Sequence, residues 1–183
     1  MMVYLISTVV FAIAESIFDC ASILVPCLLI LFLLKIKFSV INKSTLILPV
    51  NLTLLLGAVL FICGFVIPIT IGLFSNAEQV RYSLSNRLFG TYWWAFWIQI
   101  FPGYLLPQIL WVRKFRNTII SSAIIVFFWI GISLLTKMPS YLADGHFEFK
   151  YTAFEYLKEA VIYIVILSGM YFVLRKRTAL SAI

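Results

Sequence analysis

From Leu46 to Phe74 the chain runs for 29 residues without a charged side chain. A helix of about 20 apolar residues already covers a hydrocarbon core about 30 Å thick. A run this long must therefore tilt, kink or overhang the bilayer. Further apolar runs lie at 16–35, 91–112, 118–136 and 155–174, each bounded by charges or loop residues. In lipid every backbone N–H and C=O needs an internal partner, and a helix supplies them within one segment. The sequence thus predicts an all-α fold, a polytopic bundle of five transmembrane helices forming a single domain over residues 1–183. Composition agrees: 63% of residues are hydrophobic and only 11% charged, against about a quarter charged in soluble domains.

The net charge of +7 is not a nucleic-acid signature, because the basic residues stand in short clusters at the ends of apolar runs. Lys35, Lys37 and Lys43 follow the first run, Arg113, Lys114 and Arg116 the third, and Arg175, Lys176 and Arg177 the fifth. The alternate side carries Arg81, Arg87, Lys137, Lys150 and Lys158, together with Glu78, Asp144, Glu148 and Glu155. Cytoplasmic loops hold the excess of Lys and Arg. The three clusters accordingly place the N-terminus outside and the C-terminus in the cytoplasm, as for a multi-pass protein of a bacterial inner membrane. The N-terminus has neither a basic leader region nor a small-residue cleavage site before Lys35, so the first run is expected to be retained. The sequons at Asn42 and Asn51 then fall on the cytoplasmic side and inside the membrane, where neither carries a glycan.

Chemistry-bearing residues are few. Glu15 and Asp19 share a helix face in an apolar run, where a charge is expensive. With Lys35 at the inner boundary, Asp19 lies about 24 Å and Glu15 about 30 Å across. Both are therefore expected near the outer interface, with residues 1–14 as a surface helix or an overhang. Two readings stay open for them: interfacial carboxylates partnered by Arg81, Arg87 or Lys158, or a polar or proton-relay path with Lys158 and Glu159. Glu155, Lys158 and Glu159 also open the last helix, where negative charge suits the N-terminal end of the dipole.

His146 is the one histidine, and it lies in the polar stretch 137–153 with Asp144 and Glu148. A membrane cytochrome needs axial ligands on its helices, so no haem is expected. Cys20, Cys27 and Cys63 lack metal-ligand spacing and read as small apolar residues. Hydrolase, metalloprotease and nucleotide-binding fingerprints are also missing. No catalytic residue, metal or cofactor is assigned, and the chain is not expected to act as an enzyme by itself.

The most unusual segment is Asn86-Arg87-Leu88-Phe89-Gly90-Thr91-Tyr92-Trp93-Trp94-Ala95-Phe96-Trp97, followed by Pro107-Gln108, Trp111 and the cluster from Arg113 to Arg116. Amphipathic rings favour the headgroup level, so an interfacial aromatic belt leading into a helix bent at Pro102 and Pro107 accounts for the composition. The order of the residues resembles the NrfD-like family, the membrane subunits of polysulfide reductases and of alternative complex III. Asn86, Arg87, Gly90, Tyr92, Trp93, Trp94, Ala95 and Trp97 match its pattern, as do Pro107, Gln108, Trp111, Lys114 and Arg116. Thr91 replaces a proline of the pattern, and Phe96 replaces a tyrosine. The resemblance covers the family's C-terminal half and is specific over about residues 75–116.

The resemblance implies a small membrane subunit of a larger complex, respiratory or electron-transferring in kind, with other membrane subunits as partners and a quinone nearby. Arg87, Trp93, Trp94, Trp97, Gln108 and Trp111 become candidate interface or packing residues. The family's quinone and proton-pathway residues belong mainly to its other half and have no counterparts here. Pro68-Ile69-Thr70 stands where the family has an acidic residue. The rival reading is a small transporter or channel component in which Glu15, Asp19 and Lys158 line a polar path. A third is a membrane enzyme using His146, Asp144 and Glu148.

Overall fold

The computed structural model describes residues 2–34, 43–74, 78–91, 93–144 and 153–180. All regular structure among them is helical: α1 (Met2–Leu33), α2 (Lys43–Leu73), α3 (Glu78–Phe89), α4 (Trp93–Ile100), α5 (Arg113–Arg116), α6 (Ile119–Asp144) and α7 (Ala153–Leu180). Between α4 and α5 the chain continues as a π-helical turn, Phe101–Leu105, and a 3-10 segment, Leu106–Trp111. Among the described residues three helices are long and apolar enough to cross a membrane: Leu5–Leu33, Leu46–Leu73 and Leu157–Arg175. A shorter apolar stretch, Ile119–Leu135, belongs to α6.

α1 departs from the expected 16–35, because its 32 residues begin at Met2 and span about 48 Å. The reason lies in its partner. Pro68 has no N–H, so the carbonyl of Gly64, four residues earlier, loses its intrahelical donor. The Ser7 hydroxyl supplies one, donating to that carbonyl at 3.0 Å. Phe11 packs on the same glycine, and its ring centroid lies 4.5 Å from that of Phe61. Residues 2–14 thus continue the helix along the second half of α2 instead of turning onto a surface.

α1 is the hub: it lies along α2 and also contacts α6 and α7, while the π turn and 3-10 segment sit against α2 and α6. Lipid tails are as apolar as leucine, so close van der Waals fit between helices, and not water expulsion, holds such a bundle. The fit is tight at Gly57, where an added Cβ would come within 2.8 Å of Ile17. At Gly72 a Cβ would run into Leu84, so α3 folds directly over the end of α2. An aromatic layer ties four elements together. Phe18 of α1 stacks on Trp129 of α6 at 4.6 Å, and Phe61 of α2 meets Tyr104 of the π turn edge-on at 4.5 Å.

The expected third helix, 91–112, is broken. α4 has only eight residues, and prolines 102 and 107 withhold N–H groups from the carbonyls of Ile98 and Gly103. The ladder answers by widening to a π turn and then tightening to 3-10, the usual response to an interrupted helix. At its end Asn51, fully buried in α2, donates from Nδ2 to the carbonyls of Arg116 (2.8 Å) and Thr118 (3.0 Å). That amide fastens the α5–α6 corner to α2.

Candidate functional site

α1 carries both candidate carboxylates near its middle, not at its outer end. Gly57 faces Ile17 and Gly64 faces Phe11, so the antiparallel pairing sets Glu15 and Asp19 beside roughly residues 55–60 of α2. The apolar helix begins at Leu5, well before residue 16, which agrees with the overhang alternative for residues 1–14 and not with a separate surface helix. The surroundings of the two carboxylates differ. Glu15 lines a groove of about 540 Å³ between the first half of α1 and the second half of α2, covered by Val80 and Leu84 of α3. Asp19 turns toward α6, where Trp129 donates its indole N–H to Oδ1 at 3.0 Å.

α7 adds a second polar face to this level of the bundle. Glu159 and Tyr163, one helical turn apart, are 7% and 4% exposed. α1 packs against α7, and Cys20 of α1 lies within electrostatic reach of Glu159 and Tyr163. The Tyr163 hydroxyl is buried without a hydrogen-bond partner. Glu159 therefore faces the bundle and is not a solvated residue of the helix start. Lys158, its sequence neighbour, is exposed, and the partner that Asp19 shows is Trp129 instead of a cation. The expected constellation of Glu15, Asp19, Lys158 and Glu159 thus divides: Glu15 goes to the groove, Asp19 to Trp129 of α6, Glu159 to the buried face of α7, and Lys158 to the outside.

The aromatic segment is mostly outward. Trp93 and Trp94 expose 52% and 56% of their surface. Trp97 ties α4 to α3, its indole N–H donating to the Leu88 carbonyl at 3.2 Å. Gln108 is used internally: its Nε2 donates to the Tyr104 carbonyl at 3.0 Å, and its Oε1 accepts from Trp111 Nε1 at 2.7 Å. Tyr92, His146 and Glu148 lie outside the described residues, as do the side chains of Arg87, Asp144 and Glu155.

No family model matches the chain, and no curated protein or solved structure matches it. Its chemistry has to be read from its own side chains. Among the described residues no cluster of three or more His, Cys, Asp or Glu could hold a metal ion. What the arrangement offers is an apolar groove lined by one carboxylate, a half-buried Asp19 held by Trp129 of α6, and a buried Glu159 and Tyr163 on α7.

Trp129 and Tyr163 were not singled out from sequence. Both sit in apolar runs, where an aromatic residue is ordinary, and Trp129 is 110 residues from Asp19. The one available signal was the need of a carboxyl group in an apolar helix for a donor, which tryptophan and tyrosine provide.

Proposed function

We propose that this chain is a multi-pass membrane subunit of a larger membrane complex, with its N-terminus outside and its C-terminus in the cytoplasm. Its setting is respiratory or electron-transferring, as the likeness of its aromatic segment to the NrfD-like family implies. One observation carries the reading. Trp93 and Trp94, at the centre of that segment, are more than half exposed, so the chain's own packing does not account for them. The headgroup level suits such rings, and a partner's surface takes them equally well, since aromatic side chains are enriched where interfaces form. Solubilisation in mild detergent followed by pull-down and mass spectrometry tests it. Other membrane proteins co-purify in fixed ratio, and Trp93→Ala combined with Trp94→Ala loses them. Isolation as a stable, stoichiometric monomer would count decisively against it.

The groove favours a second reading, a small transporter or channel component. A carboxylate near mid-length of an apolar helix marks a substrate or ion path by default, and Glu15 lines an opening there. Neutralising Glu15, Asp19 and Lys158 in turn and measuring flux in vesicles tests it. Unchanged flux in all three variants removes transport from consideration.

A further inference from the structure

The corner between α5 and α6 gathers positive charge at the depth where lipid headgroups meet their chains. Arg113, Lys114 and Arg116 all stand on α5, the first two exposed and the third half-buried. The elements on which α5 packs, α2 and the 3-10 segment, contain no Asp or Glu to neutralise them. Backbone oxygens that would repel an anion are already taken. The carbonyls of Arg116 and Thr118 accept from Asn51, and that of Phe115 accepts the Thr118 hydroxyl at 2.9 Å. Arg116 Nε, by contrast, is buried and has no acceptor among the described residues. A charged donor kept from water without an acceptor is costly. The level of the corner follows from Asn51, which stands five residues into the uncharged run that begins at Leu46, about 8 Å along the helix axis. Trp111, largely exposed, precedes the cluster and is the kind of ring that favours the headgroup level.

We infer that the α5–α6 corner is a binding site for the headgroup of an anionic phospholipid. Its phosphate supplies the acceptor that Arg116 lacks, and the guanidinium forks of Arg113 and Arg116 match phosphate oxygens in a way that an ammonium does not. Phosphatidylcholine also carries a phosphate, but it brings a choline cation to a corner that already holds three positive charges. The cluster therefore selects net negative charge in the headgroup. A lipid fits better than a soluble anion, because Val112, Phe115 and Ile120 beside the cluster are exposed and offer an apolar surface to acyl chains. The inference goes beyond both functional readings and needs only that the bundle lies in a membrane.

The test uses the full chain in phosphatidylcholine nanodiscs doped with phosphatidylglycerol that is brominated on its acyl chains. Bromine quenches nearby indoles, and the difference between the wild type and Trp111→Phe isolates the signal of Trp111. Brominated phosphatidylcholine is the comparator. Quenching of Trp111 is half complete at a mole fraction of phosphatidylglycerol about fivefold or more below that of phosphatidylcholine, the scale of one Lys or Arg at an anionic lipid surface. Arg113→Gln, Lys114→Gln and Arg116→Gln combined abolish the preference. Arg175→Gln, Lys176→Gln and Arg177→Gln combined, an equal loss of charge near the end of α7, leave it unchanged. Arg116→Lys keeps the charge, removes the fork and lowers the preference about twofold or more. Equal quenching by the two lipids overturns the inference, as does a preference that survives the α5 triple variant or falls as far in the α7 one. If the α5 triple variant loses its helical circular dichroism, Arg116→Lys decides: a reduced preference supports the site, and an undiminished one overturns it. Displacement of phosphatidylglycerol by millimolar inorganic phosphate, against chloride of equal ionic strength, refutes a lipid site, and indifference to phosphate supports one.

Discussion

Single side chains here repair what the backbone leaves open. The Gly64 carbonyl has no intrahelical donor because Pro68 has no N–H, and Ser7 takes that role from another helix. Ser7→Ala should therefore destabilise the bundle by about 1–3 kcal/mol, the range for a buried acceptor left unpaired. In a Pro68→Ala background, where the helix supplies its own donor, the same change should have almost no effect. Unfolding in mixed micelles, run as a double-mutant cycle, reads both numbers. Trp129 serves Asp19 in the same way. Trp129→Phe keeps an aromatic ring beside Phe18 but removes the donor, so a loss of about 1–3 kcal/mol is expected. Asp19→Asn, which keeps an acceptor, should be milder. The residue types of these pairs are plain in the chain, but their partnership is not: Ser7 and Gly64 are 57 positions apart, and Asp19 and Trp129 are 110.

At the scale of elements, close approach between helices depends on where small residues fall. Gly57 lies against Ile17 at a distance that a methyl group would violate, whereas nothing lies within 4 Å of the Cβ position of Gly169. Gly57→Ala should lower the stability of the α1–α2 pair, and Gly169→Ala in α7 should leave it unchanged within error. Thermal unfolding of the two variants in the same detergent makes the comparison. The run of Gly57, Gly64 and Gly72 is visible in the sequence at about two-turn spacing, and all three do meet a neighbour. The apolar run 91–112 teaches the opposite lesson. Hydropathy sees it as one helix, but hydrogen bonding divides it into α4, a π turn and a 3-10 segment, because two prolines interrupt the ladder. Apolar length reports solvent preference, whereas helix continuity is decided by backbone donors.

For the whole molecule, the distribution of basic residues makes its own prediction. Nine of the fourteen Lys and Arg fall in the clusters after the first, third and fifth runs, so a reporter fused after Ile183 should read as cytoplasmic and one fused before Met1 as external. Reversed or mixed signals would refute the orientation. The class of fold was determined by the sequence alone, since long uncharged runs leave a chain in lipid little but helix to form. Of the five spans expected from the sequence, three correspond among the described residues to helices long and apolar enough to cross a membrane. Tertiary structure decided the extent of α1, the level of Glu15 and Asp19 along it, and their separation into a groove and a half-buried contact with α6. The physical reason is that apolar length and charge order are properties of one segment, read along the chain. A groove, an orphan carbonyl or a donor for a carboxylate exists only where two segments meet, and here that meeting is set by side chains dozens of residues apart.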